Sequence, residues 1–167
     1  MPGDKKEFIN LINKNRNIIH SICNVYCGNH CDREDLTQEI IYQLWKSFSS
    51  FKNKSLFSTW MYRVSLNTAI STVRAKKKSP EINNFSENLN EIPDSADSGL
   101  DKLSIELNKA IIALRPLDKA LIMLWLEKKK YSEISEITGL SEKNVSVRLV
   151  RIRADLKEAL KHYTIEI

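Results

Sequence analysis

The chain of 167 residues has room for one or two small domains. A hydrophobic fraction of 42% can supply cores, while only four Gly and four Pro exclude a collagen-like chain and argue against a β-rich one. The net charge of +5 and a pI near 9.1 suit an anionic partner.

The charge is unevenly spread. Residues 1–78 carry 13 basic and 6 acidic side chains, residues 79–104 carry 1 and 6, and residues 105–167 carry 12 and 9. Two basic blocks with an acidic block between them predict two domains and a linker. The longest apolar run, Ala120 to Leu126, is seven residues, far short of the ~18 a membrane span needs. The opening MPGDKKEF has no apolar signal core. The expectation is a cytoplasmic protein without membrane insertion.

Residues 5–29 read as a helix with Phe8, Ile9, Leu11, Ile12, Ile18, Ile19, Ile22, Cys23, Val25 and Tyr26 as apolar positions. Gly28-Asn29-His30 ends it. Cys23, Cys27 and Cys31 lie beside His20 and His30 at a spacing that would align on a helix, so zinc and redox sensing are weighed against core packing. Core packing is the reading adopted, since Cys is among the most buried residue types.

Asp32 or Asp35 then starts a second helix, with Leu36, Ile40, Ile41, Leu44, Trp45 and Phe48 as its apolar set. Its polar face bears Asp35, Gln38, Glu39 and Gln43, an acidic and amide stripe on a basic domain. The loop SSFKNKS places Phe51 among Lys52, Asn53 and Lys54. A third helix runs from Leu56 to Lys78, with Phe57, Trp60, Met61, Val64, Ile70 and Val73 at helical spacing. It ends in Arg74, Lys76, Lys77 and Lys78. Aromatic side chains interleaved with bases resemble a surface that holds unstacked nucleotides. Trp60 and Tyr62 cannot both face one core; Trp60 is expected in the core, and Tyr62 with Arg63 nearer the surface.

Residues 79–104 hold two Pro, one Gly and six acids, a composition that buries little and reads as a flexible linker. Helical spacing resumes at Leu100, through Leu103, Leu107, Ile111 and Leu114. It breaks at Arg115-Pro116 and resumes to Leu126, with Pro116 suited to a first helical turn.

From Lys130 to Leu160 the pattern is helix, tight turn, helix. Ser132 is expected to cap the first helix, Gly139 to end it in the left-handed conformation, and Ser141 to cap the second. Val145, Leu149, Ile152, Leu156 and Leu160 form a buried stripe. The opposite face carries Lys143, Asn144, Val147, Val150 and Arg151, flanked by Ser146, Arg148 and Arg153. A helix entering the major groove needs this mixture of bases for phosphates, amides for base edges and small apolar groups for thymine methyls.

These residues together resemble an extracytoplasmic-function sigma factor of bacterial RNA polymerase. One matching stretch is Asp35-Leu36-Thr37-Gln38-Glu39, then Trp45, Phe51, Phe57 to Arg63 and Asn67. The other is Leu114 to Leu117, then Tyr131 to Glu136 and Gly139-Leu140-Ser141 through Val145 to Arg153. The resemblance implies an all-α fold of two small helical domains: a sigma region 2 bundle over 1–78 and a sigma region 4 helix-turn-helix over 105–163, joined by a flexible acidic linker over 79–104. It implies core-polymerase binding by Asp35, Gln38, Glu39 and Gln43. It implies minus-ten DNA contacts by Phe51, Lys52, Asn53, Lys54, Ser55, Tyr62, Arg63, Asn67, Arg74, Lys76, Lys77 and Lys78, with Phe51, the loop and Asn67 holding a flipped base. It implies minus-thirty-five contacts by Ser132, Lys143, Asn144, Ser146, Val147, Arg148, Val150 and Arg151. Expected partners are core polymerase (clamp and flap), promoter DNA and a cognate anti-sigma factor; no cofactor, metal or small-molecule substrate is expected. Lys54 stands where many members carry an acid, and Ser146 where many carry a base.

An autonomous helix-turn-helix regulator would account for residues 105–163 but not for the carboxylate-amide helix or the Phe51 loop. Three histidines, no Gly-rich phosphate loop and no zinc-finger Cys pair leave little for an enzyme.

Overall fold

The computed structural model describes residues 2–78 and 99–163. The chain divides into two compact units, Met1–Leu89 and Asn90–Ile167, and the described residues form eight helices and no strand. The expected linker lies, over residues 79–98, outside the described residues; residues 99–104 are already helical.

In the first unit α1 (Pro2–Lys14), α2 (Arg16–Tyr26), α3 (His30–Phe48) and α4 (Phe57–Lys78) follow one another. The helix expected over 5–29 is therefore two. Asn15 separates them: its backbone N–H and side-chain Nδ2 both donate to the Leu11 carbonyl, at 3.2 and 2.8 Å. Such side-chain competition for backbone partners is why Asn favours helix ends. A second boundary also differs. Asn29, rather than Asp32 or Asp35, caps α3, its Oδ1 accepting from the Asp32 amide at 2.8 Å.

The core of this unit is built from Ile22 on α2, Ile40 and Leu44 on α3, and Met61 on α4, all fully buried. Phe8 pins α1 to α3 through edge contacts with Trp45 and Phe48, at 5.0 and 5.1 Å between ring centres. Aromatic pairs of this geometry add modestly to the area they bury.

The second unit contains α5 (Gly99–Ile112), α6 (Pro116–Leu126), α7 (Tyr131–Thr138) and α8 (Glu142–Ala159). Pro116 opens α6, where its missing amide leaves no bond unmade. Ala120, Leu121, Ile122, Met123 and Leu124 are all buried, so α6 is the centre around which α7 and α8 pack. Ile134 and Ile137 of α7, with Val145, Leu149, Ile152 and Leu156 of α8, complete the core. Of the stripe read from the sequence for α8 these four are buried, while Leu160, just past the helix end, is half-buried.

Candidate nucleic-acid interface

Helix phase organises α4. At 100° per residue, Trp60, Arg63, Asn67, Ser71, Arg74 and Lys78 fall within about 80° of one another. Trp60 is half-buried and the other five are exposed. The opposite side carries Met61, Ser65, Leu66 and Ala69, all buried against α2 and α3. Tyr62 belongs to that inner side and is 6% exposed, so the expected order of Trp60 and Tyr62 is reversed. The reason is angular. Tyr62 shares its face with Ala69 and Leu66, whereas Trp60 shares its face with Asn67.

Lys76 also lies on the inner side. Its Nζ reaches Asp32 Oδ1 at 2.8 Å, joining the end of α4 to the start of α3. That bond holds the Asp32 carboxyl below its ordinary range, aided by Asn29, whose Nδ2 donates to Oδ2 at 2.8 Å. Of the basic cluster, Arg74, Lys77 and Lys78 are exposed.

The loop before α4 is closed by rings. Phe51 is tilted over Trp60, 5.0 Å between centres, and meets Phe57 edge-on at 5.6 Å. Trp60 in turn contacts Phe57 and Phe48. Phe51 is thus half-buried, anchored on one side and open on the other. Around it Lys52, Asn53 and Lys54 are exposed and Ser55 is half-buried, with Asn53 in the left-handed region at φ 53°. Asn67 lies two turns beyond Trp60 on the same face. Trp60 therefore stands between Phe51 and Asn67 on that surface. A cavity of about 540 Å³ adjoins Phe51, lined also by Trp45, Phe48, Lys46, Asn53 and Glu7.

On α3, Asp35, Gln38 and Glu39 are exposed and Gln43 is half-buried. Gln43 Nε2 donates to Glu39 Oε1 at 2.8 Å, so the amide and the carboxylate form one unit. Beside them the structure shows a feature that sequence reading missed. Ile9, Ile41 and Trp45, counted among the apolar positions, are 48%, 37% and 44% exposed, and with Tyr42 and Phe8 they line a shallow apolar groove next to Gln38. Their spacing fits a core stripe. Only the position of α1 decides which of them are covered.

The cysteines divide by burial. Cys23 is buried with Sγ 3.3 Å from Thr37 Oγ1, Cys27 donates to the Asp32 carbonyl at 3.5 Å, and Cys31 is exposed. Burial raises the Cys23 thiol pKa, and burial with neighbouring Cys23 and Asp32 raises that of Cys27 to about 11. These two stay protonated, which suits packing. Among the described residues no group of His, Cys, Asp and Glu is placed to hold a metal ion.

In the second unit, Gly139 ends α7 at φ 77°, where its N–H donates to the Ser135 carbonyl at 2.9 Å. Ser135 Oγ donates to the Leu140 carbonyl at 2.6 Å, tying the turn to the helix. Ser141 caps α8, accepting from the Asn144 amide at 3.2 Å. Ser132 is not the cap of α7. Lys130 holds that position, and Glu133 accepts from the Lys130 amide at 2.8 Å, leaving Ser132 exposed in the first turn.

Lys143, Asn144, Val147, Val150 and Arg151 are exposed along one face of α8, with Val147 at 50% and Val150 at 61%. Ser146 is half-buried. The flanking bases are tied back to α6. Arg148 lies 3.2 Å from Asp118 Oδ1, and the Arg153 guanidinium stands 4.6 Å from the centre of the Trp125 ring. Both brace the exposed face from its edges. The exposed face thus carries bases, an amide and two aliphatic groups, the mixture that a major-groove reader needs.

Two family descriptions match the chain: Sigma-70 region 2 over residues 11–79 and Sigma-70, region 4 over residues 104–156. The ECF RNA polymerase sigma factor SigW of Bacillus subtilis is 26% identical over 172 residues, covering 95% of this chain and 91% of its own. The ECF RNA polymerase sigma-E factor of Haemophilus influenzae is 26% identical over 174 residues, with 95% and 90% covered. The sigma-E factor of Escherichia coli K12 is 27% identical over 163 residues, with 90% and 85% covered. In fold, the chain is similar to the sigma factor RpoE of Bartonella quintana, solved in complex with the anti-sigma factor NepR. The TM-score is 0.64 at 21% identity, over 96% of this chain and 98% of that one.

Proposed function

The chain belongs to the extracytoplasmic-function group of sigma-70 factors and directs promoter-specific transcription initiation by RNA polymerase, and on that premise we propose how its surfaces divide the work. The outer face of α4, with the loop before it, takes the minus-ten element. The observation that carries this reading is the single stripe from Trp60 through Arg63, Asn67 and Arg74 to Lys78, set beside Phe51. Arg63, Arg74, Lys77 and Lys78 would follow the phosphates of the non-template strand, while Phe51 and Asn67 offer a ring and an amide to an unpaired base.

The exposed face of α8 takes the minus-thirty-five duplex. Lys143 and Arg151 supply charge, and Asn144, Val147 and Val150 meet base edges. Arg148, braced by Asp118, would reach a phosphate only by leaving that carboxylate. Lys76 plays a structural part for the same reason, and buried Tyr62 supports α4 from within.

Asp35, Gln38, Glu39 and Gln43 form the polar part of the polymerase-docking face, which the apolar groove of Ile41, Tyr42 and Trp45 extends. The same exposed groove suits an anti-sigma partner, since a protein that covers it excludes core. No helix among the described residues is long and apolar enough to cross a membrane, and the protein would work in the cytoplasm beside its polymerase.

The test is position-specific photocrosslinking. A crosslinkable residue at Asn67 should mark the non-template strand of the minus-ten element in the holoenzyme–promoter complex. One at Val147 should mark the minus-thirty-five duplex. Crosslinks at exchanged positions, or to protein only, would overturn the assignment.

A further inference from the structure

Leu56 is the most exposed large apolar side chain among the described residues, at 73%. It occupies the position just before α4, where its carbonyl accepts from the Trp60 amide at 3.1 Å. That is the N-cap, a place for Ser, Thr, Asp or Asn, whose oxygens satisfy an orphan amide. Leucine offers no such oxygen. Here it neither caps the helix nor fills the core, so the fold gains little from it.

Its position gives another reason. By helical phase Leu56 continues the outer stripe of α4, one turn before Trp60. Exposed Lys52, Asn53 and Lys54 precede it in the loop. The surface therefore runs from an aliphatic tip, to Trp60 and Phe51 in ring contact, then to a file of polar and basic side chains. We propose that Leu56 is a wedge that enters the base stack at the edge of the melted minus-ten segment. This rests on reading the loop and α4 as the minus-ten surface.

Parting one base step opens an apolar slot between two base faces, and aliphatic side chains fill such slots in proteins that kink DNA. Burying an exposed leucine there is favourable by the same apolar transfer that drives folding. Lys52 and Lys54 are placed to neutralise phosphates bordering the step. A wedge is needed only while the bases are stacked. It should matter for opening the duplex and not for holding a strand already unpaired.

The experiment uses the full chain with core polymerase and compares Leu56→Ser, Leu56→Met and Lys52→Ala/Lys54→Ala with the parent. Open-complex formation is followed on a linear duplex promoter and on one mismatched through the minus-ten region. Leu56→Ser should melt at the parental temperature or above, because serine caps α4. It should open the linear duplex at least about tenfold more slowly, the factor for roughly 1.4 kcal/mol in a barrier. It should recover on the mismatched template, and Leu56→Met should keep most of the parental rate. An equal Leu56→Ser defect on both templates overturns the wedge, as does lost core binding. If Leu56→Ser opens duplex normally while the double lysine variant is impaired, the wedge fails and the minus-ten surface stands. If neither variant changes either template, the minus-ten reading fails with it.

Discussion

Lys76 and Asp32, 44 positions apart, meet at 2.8 Å and fasten the last turn of α4 to the first turn of α3. Because the lysine lowers the carboxyl pKa in the folded chain, the sign of the pH effect follows. The contribution is complete above the ordinary carboxyl value of 3.8 and is lost as pH falls through the lowered value. Both side chains keep about two-fifths of their surface in solvent, which holds the contribution below about 1 kcal/mol. Asp32→Asn should therefore lower stability slightly at neutral pH, and the gap to the parent should close below about pH 4. Denaturant unfolding across a pH series measures this; a pH-independent gap would contradict it.

The same pair separates roles within the basic cluster. Arg74→Ala and Lys78→Ala should each flatten the salt dependence of promoter binding by about one phosphate with unchanged thermal stability. Lys76→Ala should instead lower the melting temperature.

In α8 the corresponding contrast is Arg151 against Arg148. Arg151→Ala should weaken all minus-thirty-five sequences alike, with a salt slope reduced by about one. Arg148→Ala should also loosen the brace to Asp118, so part of its effect should appear as lost thermal stability. Asn144→Ala should change which sequence is preferred, because an amide at a base edge discriminates by about 1–3 kcal/mol. Binding to a set of single-base variants distinguishes the two patterns.

Gly139 offers a test of the turn. No atom lies within 4 Å of where a Cβ would sit, so only the backbone conformation at φ 77° resists substitution. Gly139→Ala should cost about 1–2 kcal/mol from the left-handed conformation alone. A larger loss would mean that packing around the turn is tighter than it looks.

Much of this architecture was legible because helical period is a local signal. The buried stripe from Val145 to Leu156, the left-handed Gly139 and the Ser141 cap all follow from residues within one or two turns. Boundaries were harder, since Asn29, Asp32 and Asp35 all make plausible caps, and Asn15 breaks a pattern that apolar spacing carries straight through. Two ion pairs lay beyond the reach of local spacing. Arg148 meets Asp118 30 positions away, and Lys76 meets Asp32 still further off. Nothing in the local sequence announces a partner at that distance. Trp60 and Tyr62 are different: the phase of α4, taken from Ala69 and Leu66, would have placed them correctly. Ile41 and Trp45 needed the position of α1.

The docking face gives a prediction of its own. Gln38 and Glu39 are exposed on α3. Replacing both with Ala should weaken co-purification with core polymerase while leaving the melting temperature unchanged. Unaltered co-purification would move the docking face elsewhere.

The most direct measurement is transcription from a random promoter library with core polymerase, with and without this chain, beside promoter binding by the chain alone. The expected result is discrete start sites that appear only when the chain is added. Each should lie downstream of two shared sequence elements at fixed spacing, and the free chain should bind those promoters weakly. Tight, sequence-specific binding by the chain alone, with start sites unaffected by adding it to core, would contradict it.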